Sequence, residues 1–319
     1  MASQHAFRFG VFAHNTSPRL SDLIDLGHKA ESLGYSTLLM PDHLSDQFAP
    51  GLALAMVAVA TRTLRLGSFV FANDFRHPVM LAKEVATLDV LSGGRFEFAL
   101  GAGWMSSEYE KVGLQFDRAS VRIERMEEAM RIFKGLFGSD PVSYLGKYYT
   151  VTNMNGLPKP IQRPHPPLFV GGSGKKMLSA AAREADIVGF APRERNDGIG
   201  EHMNDTLDIT DALAEATLQK VEWVRQAAGS RFDDLELNIS CMVVDITRNR
   251  LEVVDQLASR YGLGREQVLE SPYFLVGTVE EMCEDLLAYR KRFGITYYVV
   301  LEEYMEELAP VVARMSGGW

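Results

Sequence analysis

The chain has 319 residues, 46% of them hydrophobic, and a formal net charge of -9. This length suits one α/β barrel, and we expect a single domain over residues 1–319. Acidic and basic residues are interspersed, which excludes the charged surface that nucleic acid or an anionic membrane requires. The chain start has no leader pattern, and the aliphatic run at 52–60 is too short to cross a membrane. We therefore expect a cytoplasmic protein that binds neither nucleic acid nor membranes.

Short β-rich runs and helical patterns alternate along the chain. Eight β-rich runs are predicted, at 7–13, 36–40, 64–71, 95–100, 167–172, 185–191, 235–245 and 296–301. Helical patterns lie between them, at 21–34, 52–61, 78–91, 123–137, from about 175, at 207–229 and at 278–294. Ser21 is a predicted N-cap, and Thr278 with Glu281 forms a predicted capping box. A short hairpin is expected at 142–154.

This alternation predicts the fold class. Eight β-runs, several of them apolar on both faces, indicate an α/β fold of the (β/α)₈ TIM-barrel type with inserted segments. A doubly wound open sheet is the alternative, but such a sheet usually carries a glycine-rich dinucleotide loop after its first strand. The run at 7–13 is followed by no such loop.

Polar and glycine-rich segments follow four of the predicted strands. In TIM barrels the residues after the carboxyl ends of the strands form the active-site face. Asp42 and His43 follow the second strand, and Asn73 and Asp74 follow the third. GAGWMSSE (101–108) follows the fourth strand and GGSGKK (171–176) the fifth. We expect these segments to meet at one rim.

The GGSGKK segment is typical of an anion site. Small residues that open a helix let backbone N–H groups approach a phosphate at the positive end of the helix dipole. A tight turn without a ligand explains the same glycines. The segment is not a Walker loop, since Lys176 stands where that motif needs Ser or Thr. GAGWMS is only a weak dinucleotide signature because Ser106 replaces its last glycine.

Other chemistries find less support. His43 is either a hydrogen-bonded turn residue or, from its place at a strand end, a functional group. The seven histidines show no metal-ligand spacing, so no metal is expected, and there is no G-x-S-x-G nucleophile elbow. Cys241 and Cys283 are expected to be reduced core thiols. Glu302 is an active-site carboxylate or, more simply, the acidic start of the last helix.

Together, four stretches of the chain resemble the luciferase-like monooxygenase superfamily, and within it the deazaflavin (coenzyme F-420) oxidoreductase branch. They are GYSTLLMPDH (34–43), the segment from LRLGSFVF to GAGW (64–104), PKPIQRPHPPLFVGGSGKKML (158–178) with AREADIVGF (182–190), and GTVEEMCEDLLAYRKRFGITYYVV (277–300). The resemblance implies a bacterial luciferase-like TIM barrel with a flavin or deazaflavin across its mouth.

The resemblance also assigns residues. It places Asp42 and His43 beside the cofactor ring, a non-prolyl cis peptide near Phe69-Val70, and Asn73 at the ring edge. The phosphate and ribityl contacts fall on two loops, to whose residues we add Trp104 and Gly174. The expected contacts of these two loops are Gly101, Ala102, Gly103, Trp104, Ser107, Gly171, Gly172, Ser173 and Gly174.

One position departs from the family pattern. Relatives that oxidise sugar phosphates carry a proton-donating glutamate after the fourth-strand glycines, where this chain has Trp104. An indole cannot donate a proton as a carboxylic acid does, so we expect a different small-molecule substrate and an apolar wall at Trp104.

The resulting hypothesis is an oxidoreductase that moves a hydride between F-420 and a small organic substrate. His43 would donate a proton or orient the ring, and Asp42 would hold His43 in place. An FMN-dependent monooxygenase that uses O₂ is the first alternative, and a non-enzymatic cofactor-binding protein is the second. A homodimer is expected from the resemblance alone.

Overall fold

A computed structural model describes residues 5–14, 19–194 and 207–316. Eight parallel strands form a barrel, with residues 65–68 and 71–72 counted together as the third strand. The barrel is closed because the third strand pairs with both the second and the fourth. The predicted (β/α)₈ TIM barrel is therefore confirmed. The strands described are β1 (Arg8–Phe12), β2 (Thr37–Met40), β3 (Arg65–Ser68), β4 (Phe71–Ala72), β5 (Phe96–Gly101), β6 (Val142–Leu145), β7 (Thr150–Met154), β8 (Leu168–Gly172), β9 (Ile187–Phe190), β10 (Glu236–Ser240), β11 (Val243–Ile246), β12 (Phe274–Gly277) and β13 (Ile295–Leu301).

The barrel runs in the order β1, β2, β3 with its continuation β4, β5, β8, β9, β10 and β13, and β13 pairs with β1. Every pair is parallel, so the carboxyl ends of all eight positions lie on one side. The antiparallel hairpin of β6 and β7 interrupts the connection after β5, as predicted. β11 and β12 form a separate parallel pair outside the barrel.

Helices cover the outside of the barrel. Those described are α1 (Leu20–Ser32), α2 (Pro50–Ala60), α3 (Pro78–Leu91), α4 (Ser106–Lys111), α5 (Ala119–Phe137), α6 (Lys175–Glu184), α7 (Ala214–Ala228), α8 (Arg250–Tyr261), α9 (Arg265–Glu270), α10 (Val279–Phe293) and α11 (Met305–Met315). Across the described ranges, none of the helices has the length and apolar character needed to span a bilayer.

Helix ends and one strand differ in detail from the prediction. The Thr278–Glu281 capping box is confirmed, with α10 ending at Gly294 in the left-handed conformation. The Ser21 N-cap is wrong, because α1 begins at Leu20 after Arg19 and the Ser21 hydroxyl bonds to Asp22. The predicted seventh strand is two strands, β10 and β11.

Two apolar cores result from the alternation of side chains along the strands. The smaller one fills the barrel, and the larger one lies between the strands and the helices. Parallel strands covered on both faces need such a double core. The residues of the inner core are Phe12, Leu39, Ala99, Phe169, Ile187, Tyr297 and Val299, with Phe69, Val70 and Leu301 packed against them.

A buried ionic network closes the amino-terminal end of the barrel. The Arg8 guanidinium donates to Glu97 at 2.5 Å and to Glu236 at 2.6–2.7 Å, and it lies over the Tyr297 ring. Arg65 Nε donates to Glu97 at 2.7 Å. Burial would raise the pKa of Glu97, but the two guanidinium groups lower it. This network (Arg8, Arg65, Glu97 and Glu236) is called the barrel floor below.

Candidate active site

His43 lies at the opposite end, three residues beyond β2. Its Nδ1 atom is 3.1 Å from Oε2 of Glu108, which belongs to α4, while Oε1 of Glu108 accepts from the backbone N–H of Leu44 at 2.7 Å. The Glu108 side chain is 7% exposed and that of His43 27%. Because a carboxylate only accepts, Nδ1 is the donor in this contact, and Nε2 has no hydrogen-bond partner among the described residues.

The Asp42 carboxylate bonds to other groups and not to the His43 imidazole, so the expected contact between these two side chains is wrong. Its carboxylate accepts two hydrogen bonds from Arg76, at 2.6 and 2.9 Å, and a third from the N–H of Ala72 at 3.0 Å. All of these partners come from the third-strand segment. Asp42 therefore joins the end of β2 to β4, and Glu108 takes the role that we expected of Asp42.

Trp104 forms one wall beside His43. The indole meets the imidazole edge to face, with ring centroids 5.5 Å apart and planes at 89°. Trp104 is 47% exposed, so part of its apolar surface faces the open rim. His43 thus lies between a buried carboxylate and an exposed aromatic ring.

The peptide bond between Phe69 and Val70 is cis, as predicted. The Phe69 ring lies 5.4 Å from Phe12 and 5.5 Å from Phe169, on top of the inner core. A Cβ atom on Gly101 would come within 2.6 Å of Val70. Glycine at position 101, the last residue of β5, is therefore needed for Val70 to lie where it does.

Asn73 is buried and points into the protein. Its side-chain nitrogen donates to Asp74 and to the Tyr149 hydroxyl, both at 3.1 Å. Asp74 is in turn held by Arg125 through two bonds of 3.0 and 3.1 Å. Protein partners therefore engage the Asn73 amide nitrogen, and the residue is only 1% exposed.

The fourth-strand loop is fixed from α5. Arg122 donates to the carbonyl oxygens of Ala102 and Gly103, each at 3.2 Å. Gly103 has a φ of +78°, and a Cβ atom there would overlap the Tyr109 hydroxyl. Ser107 lies exposed on α4, one residue before Glu108. Only glycine fits position 103 without strain.

The fifth-strand loop has the features of an anion site. Gly174 is the N-cap of α6, and within the described residues no side chain caps the first-turn N–H groups of this helix. Space is open around Gly174, and a Cβ on Gly172 would lie 2.5 Å from Met177. Lys176 is bound to Glu124 at 2.8 Å. Uncapped amides beside glycines suit a phosphate group.

Glu302 and His14 occupy a second part of the rim, at the ends of the neighbouring strands β13 and β1. Burial raises the pKa of Glu302, and Glu303 raises it further. Burial lowers the pKa of His14, which Glu303 opposes. The His14 ring lies 4.9 Å from Phe12. Glu302 begins a short 3₁₀ helix that leads into α11.

The structure thus links the ends of strands two, three and four through direct contacts. The fifth-strand loop lies at the next position around the rim, since β8 pairs with β5. Sequence reasoning missed Glu108 and Arg76. Both stand in segments that were singled out, but nothing in a single sequence pairs Glu108 with His43 or Arg76 with Asp42.

Comparison with known proteins decides the family. The model of the luciferase-like monooxygenase family matches residues 3–244. The chain belongs to this family. An F420-dependent glucose-6-phosphate dehydrogenase from Microbacterium testaceum is 32% identical over 187 residues, 56% of this chain and 55% of that protein. An FMNH(2)-dependent dimethylsulfone monooxygenase from Pseudomonas putida is 36% identical over 127 residues, 40% of this chain and 35% of that protein.

The chain spans about half or less of these relatives' length. Among solved structures, the coenzyme F420 dependent tetrahydromethanopterin reductase from Methanopyrus kandleri superposes with a TM-score of 0.75 at 19% identity, over 98% of this chain and 100% of that one. This likeness shows the shared fold. The proteins similar to this chain therefore include both an F420-dependent dehydrogenase and an FMNH(2)-dependent monooxygenase.

Proposed function

We propose that this protein is an oxidoreductase that moves a hydride between coenzyme F-420 and a small organic substrate. The observation that carries the proposal is the His43–Glu108 pair at the rim, with Nε2 of the imidazole available and Trp104 beside it. An imidazole oriented by a buried carboxylate can take up a second proton at Nε2 and deliver it to a substrate. The similarity to an F420-dependent dehydrogenase supports the same reaction class.

The residues of the rim fit such a cofactor. The uncapped amides at the start of α6, with Gly171, Gly172, Ser173 and Gly174, would hold its phosphate. The loop from Gly101 to Gly103, held by Arg122, would follow its ribityl chain. When bound, the deazaflavin supplies the hydride at its C5 atom.

The chain's own groups have separate tasks in this proposal. Glu108 accepts from Nδ1 and fixes the direction of the imidazole, and a second proton on Nε2 of His43 would be delivered to the substrate. Phe69 and Val70 would support the ring from the inner core. Trp104 excludes water and presents apolar surface, which favours a substrate other than a sugar phosphate.

A flavin-dependent monooxygenase is the second candidate, supported by the similarity to the Pseudomonas putida enzyme. A phosphate loop and an imidazole would serve FMN equally. Binding alone does not complete that reaction, because it consumes O₂. The two candidates therefore differ in a measurable co-substrate.

The deciding experiment is a titration of the protein with F-420 and with FMN, followed by oxygen uptake with the reduced form of the bound coenzyme. We expect micromolar binding of F-420 and no oxygen uptake. Tight binding of FMN with oxygen consumption would favour the monooxygenase. Failure of both coenzymes to bind would refute both proposals.

We also propose a homodimer formed through α2. Eleven residues of this helix include no charged side chain, and its outer face exposes Leu52, Met56 and Val59 at 77%, 44% and 78%, next to Met80 of α3 at 64%. An uncharged apolar face of this kind suits burial against a second copy around a two-fold axis.

The two free, buried cysteines agree with a reducing, cytoplasmic location.

A further inference from the structure

A buried ion pair behind the cofactor face joins the second and third strands. Arg76 follows β4 by four residues, and its guanidinium makes a two-point contact with Asp42, whose side chain is 6% exposed. The same carboxylate accepts from the N–H of Ala72. Asp42 immediately precedes His43, and Ala72 lies two residues beyond Val70. One carboxylate therefore sets the spacing between the imidazole and the ring-supporting residues.

Arg76 is itself held on two further sides. Its guanidinium carbon lies 5.1 Å from the centroid of the Phe71 ring, and its Nε is 3.5 Å from Glu84 of α3. Glu84 occupies the space that a side chain on Gly51 of α2 would fill. Because residue 51 is glycine, the Glu84 side chain of α3 has room to contact Arg76.

We infer that Arg76 is a positioning residue of the active site, which sets the separation of His43 from Phe69 and Val70 by neutralising and orienting Asp42. The inference rests on the proposed function, since it concerns the cofactor face. Removal of the guanidinium would leave a buried carboxylate without its counter-charge, and such a group moves toward water or takes up a proton. Either change would release Ala72 and shift His43.

A purely structural ion pair would predict something different: loss of stability without a specific effect at the rim. The barrel floor offers the matched control, because Arg65 donates to the buried Glu97 at 2.7 Å and the side chains of this pair are 28% and 1% exposed. The corresponding values for Arg76 and Asp42 are 23% and 6%. Both are guanidinium–carboxylate pairs, they lie at opposite ends of the barrel, and Glu97 has Arg8 as a second partner.

The experiment compares wild type with Arg76→Gln, Arg76→Lys, Asp42→Asn, the double variant D42N/R76Q, and Arg65→Gln. Two readouts are taken: the dissociation constant for F-420, and amide hydrogen exchange in the cofactor-free protein. Thermal stability is recorded for each variant so that general destabilisation is visible.

We expect Arg76→Gln to weaken F-420 binding about 10- to 100-fold, because small displacements of contacting groups have effects of that size. Exchange should rise at 42–44 and 69–73. Arg76→Lys should recover part of the affinity, and the double variant should bind no worse than the weaker single one, since both remove the same contact. Arg65→Gln should lower stability and leave affinity and rim exchange unchanged.

The inference fails if Arg76→Gln binds F-420 as wild type does, or if its affinity falls only as far as that of Arg65→Gln at equal loss of stability. If wild type binds neither F-420 nor FMN, the proposed function fails, and exchange alone decides the role of Arg76. A rise confined to 42–44 and 69–73 then supports positioning, and an unchanged or global pattern overturns it.

Discussion

The Nδ1 atom of His43 lies 3.1 Å from a carboxylate oxygen of Glu108, 65 residues further along the chain. The other oxygen of Glu108 holds the backbone of Leu44. One buried carboxylate therefore sets both the position of the loop after β2 and the tautomer of its histidine. A hydrogen bond to such a partner fixes the orientation of the imidazole ring, whereas a solvent-exposed histidine can rotate.

Replacement of His43 by alanine should slow hydride transfer about 100-fold or more, the usual contribution of a positioned proton donor. Coenzyme affinity should change much less than turnover, because the phosphate loop and the support of the ring by Phe69 and Val70 both remain in place. Turnover is measured as oxidation of reduced F-420 with an acceptor found by screening small ketones and enones. His28→Ala, at an exposed position on α1, is the control. Equal turnover in His43→Ala and wild type would rule out a proton-transfer role.

Glu108→Gln should have a smaller effect than Glu108→Ala. The amide oxygen of glutamine can still accept from Nδ1, while alanine leaves both His43 and the Leu44 amide without a partner. We expect losses in turnover of about 10-fold and about 100-fold, respectively. Indistinguishable kinetics of these two variants would show that the hydrogen bond does not orient the imidazole.

Gly103→Ala should destabilise the fold by about 2–4 kcal/mol, since it combines a positive φ with an overlap against the Tyr109 hydroxyl. Gly113 provides the comparison, with a φ of +72° and no atom within 4 Å of its Cβ position. Gly113→Ala should cost only the backbone strain, about 1 kcal/mol. Urea denaturation measures both. Adding Tyr109→Phe should recover part of the loss in Gly103→Ala, and equal losses in the two alanine variants would contradict the overlap.

Glu31 should contribute stability that depends on pH. Burial alone would raise its pKa, but hydrogen bonds from the backbone N–H groups of Thr63, Leu64 and Arg62 lower it from 4.5 to about 2. Because the folded-state pKa is lowered, the stabilisation is complete above pH 4.5 and is lost as the pH falls toward 2. The group is largely solvated, so we expect about 1 kcal/mol.

The measurement is denaturation of wild type and Glu31→Gln at pH 7 and pH 3. The difference in unfolding free energy between the two proteins should shrink at the lower pH. Glu110→Gln, at an exposed position on α4, should show no such change. If the difference in unfolding free energy between wild type and Glu31→Gln were the same at both pH values, the charge of Glu31 would not be its cause.

Val59→Glu should convert the proposed dimer into a monomer, because it places a charge on the apolar α2 face. Leu145→Glu is the matched control, since Leu145 is 88% exposed on the β6–β7 hairpin. Sedimentation velocity at micromolar concentration distinguishes the two states. A monomeric wild type, or a dimeric Val59→Glu variant, would exclude this interface.

The barrel was predictable because its parallel strands are short, apolar on both faces and separated by helices with clear periodicity. The strand β12 and the helices α8 and α9, over 250–277, were missed. The helices of this region carry charged outer faces, and its strand β12 pairs with β11 outside the barrel. The strand period therefore gave no reason to expect a second sheet there.

The rim residues could be located from the sequence because each follows a predicted strand. Their pairing could not, since Asp42 and Glu108 are both acids near His43 and only the three-dimensional arrangement assigns Asp42 to Arg76. The choice depends on distances between loops, which a pattern within one strand does not contain. The cis peptide at Phe69-Val70 was expected only through family resemblance.

The barrel floor has an evolutionary consequence. Arg8, Arg65, Glu97 and Glu236 tie together the beginnings of four strands at the end remote from His43. Substitutions in the rim loops leave those ties intact, so a new acceptor specificity can arise there without loss of the scaffold. Among proteins that evolve from this chain, substitutions should concentrate in the rim loops, and the four residues of the barrel floor should be retained.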